Sequence, residues 1–84
     1  MEKYIFNEVM KLPCENNIGM LISLAILNKY VKVNLIKDIE NQIYYEINIT
    51  ELLMSNITIE ELMQVRNAKW EVNKNNNKLI RKLE

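Results

Sequence analysis

The sequence contains no histidine. That absence removes the commonest general base, the commonest metal ligand and every Ser-His or Cys-His nucleophile pair. Cys14 is the only cysteine, so the chain can form no internal disulfide and no thiolate metal site of its own, and residence in the cytoplasm is the simplest expectation. A single glycine, Gly19, excludes a glycine-rich phosphate loop. The longest apolar run, Ile18 to Leu27, covers ten residues where about 20 are needed to cross a bilayer, and the N-terminal residues do not read as a secretory leader. Net charge is zero, with 11 basic and 11 acidic residues, which weighs against a uniformly basic nucleic-acid binder.

The chemistry that remains is carboxylate chemistry. Asp38, Glu40, Glu60 and Glu61 are the acidic candidates, but their spacing matches no cation-binding loop, and adjacent Glu residues at a helix start are explained by the helix dipole. Cys14 has no base to activate it. A protein without catalytic machinery, metal or cofactor is expected.

Composition supports a folded chain. At 84 residues, 49% hydrophobic and 26% charged, the sequence sits with ordinary globular proteins and near the smallest size at which one core suffices, so residues 1–84 are expected to form a single domain. Asn (13), Ile (12) and Lys (9) are abundant, and their AT-rich codons suggest an AT-rich genome such as that of a low-GC bacterium or its phages. The sequons at Asn48 and Asn56 are what chance supplies in an Asn-rich chain.

Along the chain, Ile5, Phe6, Val9 and Met10 have the spacing of an amphipathic helix over residues 2–12, closed by Pro13. Asn16 or Asn17 can cap the next segment. Ile18 to about Lys29 forks: Met, Leu and Ala favour a helix buried on nearly all sides, while its isoleucines leave open an extra strand of a meander. From Tyr30 the period becomes two. Val31, Val33 and Leu35 alternate with polar residues, as do Ile43, Tyr45, Ile47 and Ile49, and the short polar joint 37–42 requires an antiparallel hairpin.

Thr50 and Thr58 each stand where a helix cap belongs, and Thr58 with Glu61 forms a capping box. These caps predict a short helical turn over 51–55 and a helix over 58–68, the latter burying Ile59, Leu62, Met63 and either Val65 or the aliphatic stem of Arg66. Residues 69–72 and 78–83 flank the Asn-rich block 73–77 and predict a second hairpin. The fold class is therefore α+β: two N-terminal helices and a third, capped helix packed on antiparallel hairpins.

Zero net charge conceals segregation. Residues 38–61 carry six acidic and no basic side chains, whereas 62–84 carry six basic against two acidic. The simplest account is mutual attraction of exposed charges across the fold. The alternative is a polarised binding surface. Lys69, Trp70, Lys74, Lys78, Arg81 and Lys82 make the basic tail the best nucleic-acid candidate, with cations for phosphates and an indole for stacking. Tyr44 and Glu46 lie on the polar phase of their strand, as contacts on a protein-binding sheet face would. Helices followed by a hairpin resemble the element order of winged-helix domains, which implies a helix in the major groove and a hairpin on the backbone; the likeness is one of element order alone.

The expected function is stoichiometric protein contact, as a homodimer or on a larger target. Size and composition suit a phage or mobile-element accessory factor that inhibits host machinery in the manner of anti-CRISPR proteins. A small DNA-binding regulator is the rival.

Overall fold

The computed structural model describes residues 1–14 and 19–83. Helix α1 (Lys3–Met10) turns Phe6, Val9 and Met10 inward, as the amphipathic spacing requires. Helix α2 (Met20–Asn28) resolves the fork in favour of helix, so the extra strand does not form. The proposed caps Asn16 and Asn17 lie outside the described residues. Gly19 occupies the N-cap position instead, at φ 113°, where its carbonyl accepts the Ser23 amide at 2.7 Å. That left-handed backbone is open to glycine at little cost.

Burial of α2 on nearly all sides is corrected. Ser23, Ile26 and Leu27, spaced i, i+3, i+4, face the core, while Leu21 and Ile22 on the opposite side are 76% and 56% exposed. A two-layer domain gives each helix one interior face, and among the described residues no further layer covers the other.

The first hairpin pairs β1 (Asn34–Lys37) with β2 (Ile43–Asn48), antiparallel as expected. Its first strand starts later than the period-two pattern suggests, because the Tyr30 and Val31 amides still bond the Leu27 carbonyl and prolong the helical turn. In the joint, Asp38 Oδ1 accepts from the amides of Glu40 and Gln42, and Asn41 takes a left-handed φ of 64°.

Helix α3 (Ile49–Leu53) is capped by Asn48, not Thr50: Asn48 Oδ1 accepts the Glu51 amide at 2.9 Å, and Thr50 sits inside the helix. Helix α4 (Ile59–Asn67) carries the anticipated Thr58–Glu61 capping box. Its interior face holds Leu62 and Val65, whereas Ile59 and Met63, also expected inside, lie on its flank and are exposed.

The second hairpin, β3 (Glu71–Asn73) with β4 (Lys78–Lys82), does not stand apart from the first. β4 lies against β2, giving one four-stranded antiparallel sheet in the order β1-β2-β4-β3. Strand alternation sends Ile47 and Leu79 to the inner face, where they join Phe6, Leu27, Leu52, Leu62, Val65 and Trp70 in the core. The fold is thus a small α+β structure with its helices on one face of the sheet.

Candidate binding surfaces

The opposite face of the sheet is built by register. Tyr44 lies across from Ile36 on one side and Lys82 on the other; Glu46 is opposite Asn34 and Ile80, which in turn faces Glu71; Asn48, Lys78 and Asn73 form the next row. Ile80 is only 8% exposed yet does not belong to the main core cluster, so it is covered from above by the long side chains around it. One of these contacts spans the face, with Lys82 Nζ 3.7 Å from Glu71 Oε1. The result is an apolar centre with Tyr44 beside it and two lysines balanced by two glutamates.

Four of the eight anticipated contact residues, Tyr44, Glu46, Lys78 and Lys82, therefore come together. The other four do not join them. Trp70 is fully buried, its Nε1 donating to Ser23 Oγ at 2.8 Å, and the indole has no free face on which a base could stack. Arg81 falls on the inner phase of β4 with Leu79; its Nε donates to the Ala68 carbonyl at 2.6 Å and its Nη1 to the carbonyl of Lys82. Lys69 is half-buried at φ 69°, turning the chain from α4 into β3. Lys74 stands exposed in the β3–β4 turn, beside a groove against α1. A basic run in sequence is split because alternate residues of a strand face opposite sides. The pairing of Arg81 with Leu79 in that alternation was the available signal.

A further polar cluster joins the end of α2 to the start of α4. Glu61 accepts from Lys29 Nζ and from the Tyr30 hydroxyl, both at 2.6 Å, while its capping bond from the Thr58 amide is 3.1 Å. The Lys29 bond first, then that of Tyr30, lower the Glu61 pKa from 4.5 to about 2; the same bonds raise Lys29 and Tyr30. Tyr30 thus serves a fixed ion cluster, not a strand face.

Asp38 and Glu40 lie in the β1–β2 turn and Glu60 and Glu61 in the first turn of α4. Among the described residues no three His, Cys, Asp or Glu side chains are grouped to hold a metal ion. Among them, too, no helix is long and apolar enough to cross a membrane. No family model matches the chain, and no curated protein or solved structure is found to be similar to it.

Proposed function

We propose that the protein is a non-catalytic binding protein that acts by stoichiometric contact with another protein, through the outer face of its sheet. The observation that carries this reading is the sheet face opposite the helices: a half-buried Tyr44 beside an Ile80 shielded by its neighbours, within a border of Lys78, Lys82, Glu46 and Glu71. An aromatic and apolar centre inside a polar rim is the anatomy of protein interfaces. Phosphate backbones call instead for a surface of one sign, and here two cations are offset by two anions. The absence of histidine and the enclosure of the only tryptophan support the choice of protein over substrate or nucleic acid.

The setting proposed is the cytoplasm, with the AT-rich coding and small size suiting an accessory factor of a phage or mobile element that blocks a host protein. Tagged protein is used to capture partners from a host lysate, in parallel with a Tyr44→Ala, Lys82→Glu variant. A stoichiometric partner retained by the parent and lost by the variant, with unfolding midpoints alike, supports the proposal. Equal capture by the variant overturns the surface. Steeply salt-dependent duplex DNA binding without a protein partner would favour the regulator, and a homodimer dissociated by the same substitutions would make the contact one between copies.

A further inference from the structure

We infer that the groove between α1 and the β3–β4 hairpin is a second binding site, which takes an extended acidic segment of a partner polypeptide. It lies beyond the sheet-face reading, since Tyr44 and Lys82 do not line it.

The groove follows from helix and strand periodicity together. Lys3, Asn7 and Lys11, spaced four apart on the polar side of α1, stand along one wall. The successive residues Glu71, Val72, Asn73 and Lys74 make the other. Arg66, in the last turn of α4, ties the walls together near Lys11: its Nε donates to the Leu12 carbonyl and its Nη1 to that of Trp70, each at 2.8 Å. Between them the last accessible surface of Met10 and Ile49 forms an apolar floor with Val72, and the volume of the open groove is about 620 Å³. A concave, partly apolar cleft of this size is a characteristic ligand site.

Charge selects the occupant. Lys3, Lys11, Arg66 and Lys74 surround the groove against one carboxylate, Glu71, which is drawn toward Lys82 on the outer face. Lys11 leans on Glu8 of its own helix, and among the described residues Lys3 and Lys74 have no ion-pair partner. Such a cleft attracts anions.

Backbone geometry selects an extended chain. β3 is the last strand of the sheet, so among the described residues its side away from β4 pairs with no strand. An unpaired edge beside a groove is the arrangement that accepts an added strand, with alternate side chains directed into pockets. Here the groove offers both an apolar floor and a basic rim, so the fitting sequence carries acidic and apolar residues together. A nucleic-acid strand is disfavoured because the lining offers no aromatic face: Phe6 is buried and Trp70 is enclosed.

The test uses the intact protein and a fluorescein-labelled peptide of about eight residues alternating Glu and Val, long enough to span the strand edge. Anisotropy is expected to show saturable one-to-one binding at low salt, weakened at least about tenfold by Lys3→Glu with Lys74→Glu and unchanged by Tyr44→Ala. Both lysines are exposed, and Glu suits the first helical turn, so the variant should keep its fold. N-methylation of one alternating phase of the peptide should abolish binding, that of the other should not, and a Lys-Val peptide should not bind. No saturable binding, or equal binding by the lysine variant, overturns the proposal. Tighter binding of a single-stranded oligonucleotide through the same lysines would replace it with a nucleic-acid site. Self-association lost in Ile39→Lys would overturn it in favour of a second copy, whose acidic turn Asp38 to Glu40 presents an Ile39 that is 101% exposed.

Discussion

The indole of Trp70 donates its N–H to the hydroxyl of Ser23 at 2.8 Å, across 47 positions of sequence, and both residues are fully buried. Ser23 in turn donates its hydroxyl hydrogen bond to the Met20 carbonyl at 2.7 Å, so both polar groups are satisfied inside an apolar core. Through this contact α2 is joined to the segment that begins the second hairpin. Ser23→Ala leaves the indole N–H buried without an acceptor, and a loss of about 1–3 kcal/mol is expected in urea unfolding. A Trp70→Phe partner variant makes the cycle: the two losses should add to more than that of the double variant, because each removes the same bond.

Trp70 is the only tryptophan, so its fluorescence reports on the core. Emission should be blue-shifted and shielded from iodide in the native protein, and should not change on addition of oligonucleotide. Trp70→Ala is expected to cost about 3–5 kcal/mol, against a total of about 5–15 kcal/mol for a domain. Loss of binding in that variant would therefore report unfolding, and the outer-face residues are the ones to substitute when contact is in question.

Glu61 carries the pH dependence. Its folded pKa, about 2, lies below the ordinary 4.5, so the stability it lends is present above 4.5 and is lost as pH falls from there toward 2. Glu61→Gln should flatten the acid limb of the stability profile over that window, as followed by circular dichroism. At the same helix end Thr58→Ala should cost about 1 kcal/mol, because it removes the hydroxyl that accepts the Glu61 amide and donates to the Glu61 carboxylate.

The two sides of α2 should respond oppositely to substitution. Ile22→Lys, on the exposed side, is expected to change stability by under about 0.5 kcal/mol, whereas Leu27→Ala, fully buried, should cost about 2–5 kcal/mol. Denaturant midpoints of the two variants check the difference directly.

Local chemistry made much of this legible. The Phe6, Val9 and Met10 face, the Thr58–Glu61 box and the Asn-rich turn between β3 and β4 are written in residues close together in sequence, where spacing and capping act without help from the rest of the fold. The Thr50 cap misled because Asn48, two residues earlier, supplies a competing acceptor to the same helix start. Burial of Ile59, Met63, Leu21 and Ile22 misled for a different reason: hydrophobicity says that a residue can be interior, but the number of layers decides whether a second face has anything to cover it.

By itself, then, the sequence determined α1, α4, the two antiparallel hairpins, and a chain with no histidine-based chemistry, while the fork at α2 was left to the tertiary structure. Only the tertiary structure decided that β4 docks on β2, that Trp70 belongs to the core, that Tyr44 shares a face with Lys82, and that Lys3 shares a groove with Lys74. Capping and periodicity are short-range and can be read from neighbours. Strand order and face depend on which distant segments meet, and the physical driving force for that meeting, burial of apolar area, is non-directional.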